Sequence, residues 1–345
     1  MDFSKMLISE DSTILKAMQA IDKAAKQIVF IATQNKLKAV VTDGDIRRHI
    51  LKGGSLDEPV SKIANYNPKY VARKDKNKAY ELLKGGALKA IPVVNSAHEI
   101  IDIIYGIMEG VTTKKVCAPV VIMAGGLGTR LYPYTKILPK PLIPIGDIPI
   151  VEHIINKFQN YKCDEYFLLL NYKKNMIKSY INDIEKTYKV EFVDELIPLG
   201  TGGGLSLLKG KVDKTFFLTN CDILVDEDYE SIFKHHKEQG NIITMVCAFK
   251  HTTIPYGVIE LNEFGDIDKI TEKPEYTFLT NTGLYLVEPC VIDELEENTA
   301  IGFPDIFEKY RKNGQKVGIY PVNENAWMDM GQFEELEEMR KRLGV

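Results

Sequence analysis

The chain has 345 residues, room for two ordinary domains, and its 45% hydrophobic and 27% charged content suits a globular protein that buries its own core. Lys plus Arg (44) against Asp plus Glu (48) gives −4, so no basic excess drives nucleic-acid binding. Five scattered cysteines with no C-x-x-C pair exclude the usual disulfide and zinc frameworks, no run approaches a membrane span, and no apolar leader follows Met1, so a cytoplasmic protein is expected.

The first 115 or so residues carry short apolar runs at 28–31, 39–41, 91–94 and 100–105, with helix-like stretches at 13–25 and 45–52. Residues 39–42 align with 102–105, an internal repeat with a period of 63, and each unit is too small to bury its own face. In the first unit Thr42-Asp43-Gly44-Asp45 ends a strand and opens a helix. A hydroxyl and a carboxylate three residues apart at a helix N-terminus, Thr42 and Asp45, suit a ribose and a phosphate, and they equally suit a helix cap. The repeat resembles a tandem CBS module, with Gly44-Asp45-Ile46-Arg47-Arg48 in the family's D-G-D-I-R-R segment. That resemblance implies an α+β domain pair over residues 1–114, an adenine nucleotide on Thr42 and Asp45, and a homo-oligomer. The second unit, Tyr105-Gly106-Ile107-Met108, departs from the pattern, so one nucleotide site is expected rather than two.

After a linker at 111–118 the texture becomes that of an α/β sheet. Strands are expected at 120–123, 166–170, 190–193, 215–219, 242–249, 257–261, 281–287 and 316–321. Helices are expected at 150–161, 173–187, 202–208, 228–239 and 333–343. The strongest motif is Ala124-Gly125-Gly126-Leu127-Gly128-Thr129-Arg130-Leu131, directly after a buried strand and followed by Pro139-Lys140-Pro141. Missing Cβ atoms let backbone amides approach an anion, and Arg130 adds a fork of donors for phosphate oxygens. No Lys-Ser or Lys-Thr pair follows the glycines, and their spacing is not that of the dinucleotide fingerprint.

The string from Gly125 to Pro141 resembles the signature of the sugar-1-phosphate nucleotidyltransferases, G-G-x-G-T-R-L-x-P-x-T ending P-K-P. The resemblance implies a Rossmann-like α/β mixed-sheet nucleotidyltransferase domain over 118–345. It implies a nucleoside triphosphate and a sugar 1-phosphate as partners, with neither nucleic acid nor membrane, and Mg²⁺ as cofactor. Ala124, Gly125, Gly126, Gly128, Thr129 and Arg130 would hold the nucleotide, and Arg130, Lys140, Asp222 and Lys273 would be catalytic. Asp222, just past a strand end, and Asp329 in Trp327-Met328-Asp329-Met330-Gly331 would bind the metal. Gly257, Glu272, Lys273 and Asn281, in segments matching the family's Y-G-V, E-K-P and N-x-G-x-Y, would hold the sugar phosphate.

The Gly200-Thr201 loop would meet the nucleotide, and Glu195 stands five residues ahead, where pyrimidine-specific members carry glutamine. An ionised carboxylate only accepts, which suits the adjacent N1 and 2-amino donors of guanine and repels uracil. GTP is therefore the expected triphosphate. The CBS pair in front of the transferase resembles the glucosamine-1-phosphate guanylyltransferases of bacterial legionaminic acid synthesis. Mannose 1-phosphate with GTP, and glucose 1-phosphate with UTP or dTTP, are the alternatives; a degenerate sensor should have lost some of Arg130, Lys140, Asp222 and Asp329, and all are present.

Overall fold

A computed structural model describes residues 3–24, 27–83, 88–105 and 115–345. The chain divides into two compact units, Met1–Thr112 and Thr113–Val345.

The first unit contains two three-stranded sheets of the same design. In one, Leu7–Ile8 lies parallel to Ile28–Thr33, which pairs antiparallel with Lys36–Thr42. In the other, Val71–Ala72 lies parallel to Ala90–Val94, which pairs antiparallel with Ile100–Tyr105. Each first strand is followed by a helix, Ile14–Ala24 or Lys76–Leu83, so the repeat seen in the sequence is a repeat of topology. Gly106-Ile107-Met108 of the second unit, expected to depart from the pattern, lies outside the described residues. The helix Asp43–Leu51 opens on a capping box: Thr42 Oγ1 accepts from Asp45 N (3.3 Å), while Asp45 Oδ2 accepts from Thr42 N (2.9 Å) and Thr42 Oγ1 (2.6 Å). Arg48 also pairs with Asp45. Of the two roles these residues suit, the structure displays the cap, and a ribose would have to compete with it.

The second unit is built on a seven-stranded sheet: β1 (Val120–Met123), β2 (Glu165–Leu170), β3 (Lys189–Asp194), β4 (Phe216–Asn220), β5 (Ile243–Thr253), β6 (Glu275–Val287) and β7 (Val317–Val322). The spatial order is β3-β2-β1-β4-β6-β5-β7, and β6 alone runs antiparallel to its neighbours. Alternation along the strands feeds two cores, as a sheet covered on both faces requires. Val120, Ile122, Leu168, Phe217 and Leu286 face a core closed by helices Ile150–Gln159, Lys174–Asp183, Tyr229–Gln239 and Phe333–Leu343. Val121, Phe167, Leu169, Phe216 and Leu218 face a second core, closed by helix Phe303–Lys312 and residues 204–208.

Most expected elements appear within a few residues of their predicted bounds. Helix Phe303–Lys312 is not among the expected elements, although Gly302 at its N-cap and Pro304 in its first turn are start signals. The helix expected over 173–187 stops at Asp183. β5 and β6 run longer than expected, and beyond them Gly257–Leu261 pairs with an unpredicted strand, Ile267–Glu272, in a separate two-stranded ladder. Among the described residues no helix is long and apolar enough to cross a membrane.

Phe217 on β4 is fully buried and packs against the rings of Phe158, Tyr229 and Phe233. Phe217→Ala should lower the unfolding free energy by about 3–5 kcal/mol in denaturant titrations. Phe264→Ala, at a side chain 88% exposed, should change it by less than about 0.5 kcal/mol.

Candidate active site

Four parallel strands, β3, β2, β1 and β4, end at the same edge of the sheet, where open α/β sheets place ligands. Their register puts Glu195, Asn171, the Ala124–Gly128 turn and Asn220 to Asp222 side by side. β1 enters the turn through buried Ala124, whose N–H donates to Leu169 O (2.9 Å). Gly128 has φ +65°, and a Cβ there would lie 2.9 Å from Thr135 Cγ2. The same Thr135 donates its hydroxyl to Gly128 O (2.8 Å), which locks the turn. Gly126 has open space where a Cβ would stand. Thr129 and Arg130 follow in an exposed 3-10 turn. Arg130 Nη1 and Asp329 Oδ2 lie 3.2 and 3.1 Å from the position of a Cβ on Gly331, so the guanidinium and the carboxylate flank that glycine.

Lys140, only 8% exposed, forms an ion pair with half-buried Asp222. Asp222 O accepts from Met330 N (2.9 Å), and the strand Ile223–Val225 pairs antiparallel with Trp327–Asp329, Ile223 opposite Asp329. This ladder, absent from the sequence-based elements, brings the two expected metal carboxylates together. Burial, then the neighbouring Asp222 charge, pushes the Asp329 carboxyl up to about 6, against the pull of Lys140 and Arg130. Among the described residues no group of three or more metal-ligating side chains occurs. Two carboxylates with room for phosphate oxygens and water nevertheless fit a hard divalent cation such as Mg²⁺, which takes few protein ligands.

Among the residues expected to hold the sugar phosphate, Gly257 pairs with Glu272, and a Cβ on Gly257 would lie 3.0 Å from Glu272 Oε2. Lys273 sits at φ +46° in the following turn and donates its N–H to Tyr256 O (3.2 Å). Asn281 spends part of its amide locally: Nδ2 donates to Tyr285 Oη (2.6 Å) and Oδ1 accepts from Gly283 N (3.0 Å). Gly283, at φ +85°, lies under Asn220, whose Nδ2 is 2.4 Å from the position of a Cβ there. The Asn281–Gly283 segment thus meets the Asp222 loop through Asn220, whereas Gly257, Glu272 and Lys273 belong to the separate two-stranded ladder and its turn.

Glu195, expected to meet the base, is 8% exposed. Its Oε2 lies 3.3 Å from the position of a Cβ on Gly125 and its Oε1 2.4 Å from that of one on Gly204, so the carboxylate is held between two glycines. Burial raises its pKa, and the Leu199 N–H opposes that rise. Gly200, at φ +75°, approaches Ile301 O, and Thr201 Oγ1 accepts from Phe303 N (3.0 Å), so this loop also caps helix Phe303–Lys312. Asn171, which no motif flagged, stands between Glu195 and Gly125; a lone Asn after a strand gives no periodic signal.

Because the Asp329 pKa lies above its ordinary 3.8, the fold favours the neutral form. The stability this gives is complete below the ordinary value and is lost as pH rises through about 6. In chelator, the unfolding free energy of wild type relative to Asp329→Asn should fall between pH 3.8 and about 6 by on the order of 1–3 kcal/mol. Asp222→Asn should lower the Asp329 midpoint seen by carboxyl-carbon NMR.

The model of the nucleotidyl transferase family matches residues 119–344. A mannose-1-phosphate guanyltransferase of Aspergillus oryzae is 33% identical over 221 residues, covering 61% of this chain and 60% of its own. Mannose-1-phosphate guanylyltransferase 1 of Arabidopsis thaliana is 30% identical over 223 residues, with 61% and 60% covered. The chain therefore spans about 60% of the length of these relatives. HddC from Yersinia pseudotuberculosis, solved in complex with GMP-PN, shares the fold with a TM-score of 0.52 at 23% identity, covering 66% of this chain and 99% of its own. A putative glucose-1-phosphate thymidylyltransferase from Bacillus anthracis does so with 0.51 at 20%, covering 65% and 94%. With the family model spanning the whole sheet and its site-bearing edge, the chain belongs to the nucleotidyl transferase family.

Proposed function

We propose that this chain transfers a guanylyl group from GTP to a sugar 1-phosphate, releasing pyrophosphate. The observation that carries the choice of base is Glu195, whose carboxylate is buried against Gly125 of the phosphate-binding turn. An acceptor-only group there pairs with the two donors of guanine and opposes a carbonyl edge. Glucosamine 1-phosphate is the sugar favoured by the fusion to a repeat of CBS-like topology, with a role in legionaminic acid synthesis. The names of the matched guanylyltransferases favour mannose 1-phosphate as the second reading.

The sugar phosphate is already anionic at neutral pH, so its oxygen attacks the α-phosphorus in line without a general base. The work left for the protein is alignment and neutralisation of charge. The amides of Gly125 to Thr129 receive the triphosphate, and Arg130 balances the departing pyrophosphate. Glu272 and Asn281 accept and donate to sugar hydroxyls, and Lys273 pairs with the sugar phosphate. Lys140 holds Asp222 in place and screens the entering phosphate from it. Mg²⁺ held by Asp222 and Asp329 would neutralise phosphate oxygens and orient them. The N-terminal unit reads as a regulatory and oligomerisation module, where an adenine nucleotide would compete with Asp45 for the Thr42 hydroxyl.

Pyrophosphate release from each nucleoside triphosphate with glucosamine, mannose and glucose 1-phosphates tests this reading, with AMP added in a parallel series. GTP should exceed the other triphosphates, and Glu195→Gln should cut its kcat/KM at least tenfold. Asp222→Asn should lower kcat by about 10²–10³-fold while the protein stays folded. Equal use of all triphosphates, or a fully active Asp222→Asn, would overturn it.

A further inference from the structure

The geometry points to Asn171 as the residue that positions Glu195 for selection of the base; the inference rests on the guanine reading above. Asn171 is the first residue past β2, and Glu195 the first past β3, on adjacent parallel strands in register, Leu170 opposite Asp194. Glu195 is held from both sides of its main chain. Its N–H donates to Leu170 O (2.8 Å), and its carbonyl accepts from Asn171 Nδ2 (3.2 Å). The first bond continues the ladder of the sheet, which ends there. The second is supplied by a side chain, and it fixes the peptide from which the Glu195 side chain departs.

The same residue braces the glycine-rich turn. A Cβ on Gly125 would lie 3.2 Å from Asn171 Cβ, 3.4 Å from Asn171 N and 3.3 Å from Glu195 Oε2. The neighbouring Tyr172 donates its N–H to Gly125 O (3.4 Å) and its hydroxyl to Thr135 O (3.2 Å), the threonine that locks Gly128. One short loop therefore sets the distance between the turn that receives phosphates and the carboxylate that receives the base. A carboxylate discriminates two adjacent donors only when both its oxygens meet them, so a small shift of Glu195 should cost selectivity before it costs turnover.

Asn171→Ala removes the amide, and Asn171→Asp keeps the shape while replacing the donor by an acceptor facing a carbonyl. The readout is the ratio of kcat/KM for GTP to that for UTP, with sugar 1-phosphate KM and the melting curve as controls. Both variants should lower the ratio at least tenfold while the sugar 1-phosphate KM stays within about twofold. A purely packing role would leave Asn171→Asp at the wild-type ratio, and that result overturns the inference. If Asn171→Ala unfolds, Asn171→Asp alone decides. If Glu195→Gln shifts the ratio and neither Asn171 variant does, the inference fails and the guanine reading stands. If Glu195→Gln leaves the ratio unchanged, the guanine reading fails and takes the inference with it.

Discussion

The site depends on one contact, the ion pair between Lys140 and Asp222 in a setting that is largely closed to water. A charge buried there without its partner would be costly, so the segment after the glycine-rich turn and the end of β4 must stay together. The Asp222 main chain then receives Met330 N, and the ladder of Ile223–Val225 with Trp327–Asp329 brings in the C-terminal part of the chain. A second carboxylate, Asp329, is thereby set beside the first, and burial, then the Asp222 charge, raises its pKa. Two carboxylates that resist being ionised side by side favour a cation between them.

This arrangement explains why a near-neutral chain suits polyanionic substrates. The net charge of −4 provides no basic excess, yet phosphates need local positive counterparts. In the proposed reaction Arg130, Lys140 and Lys273 would supply them. None of the three could be noticed in the whole-chain count. In that reading specificity would have a different origin, Glu195 and Asn171 at adjacent strand ends and Glu272 and Asn281 on the antiparallel strands.

Much of this was legible before the structure because it follows from local signals. The β1 strand, the glycine turn and Asp222 are contiguous with apolar runs whose ends can be read, and the motif strings specify their neighbours. The 63-residue repeat was legible because both copies keep apolar strands in the same order and pairing. What the sequence left open is long-range. Nothing near Asp329 announces its pairing with Ile223, because a three-residue strand carries too little periodicity. The Ile267–Glu272 strand has its two apolar residues, Ile267 and Ile270, three apart and both exposed, so it shows neither strand alternation nor a core face. Asn171 was missed for a related reason: its role is a bond to the main chain of a residue on another strand. Thr42 and Asp45 fitted two roles equally from sequence, and only their mutual hydrogen bonds display the cap.

The central claim is that a sugar phosphate oxygen displaces pyrophosphate from the α-phosphorus of GTP at this edge of the sheet. Phosphorus NMR of the protein with GTP, Mg²⁺ and a sugar 1-phosphate tests it most directly. The account predicts that the sugar monophosphate resonance gives way to the paired signals of a nucleoside diphosphate sugar, with pyrophosphate appearing in equal amount. Formation of GDP and orthophosphate, or of GMP with the sugar phosphate untouched, would contradict it.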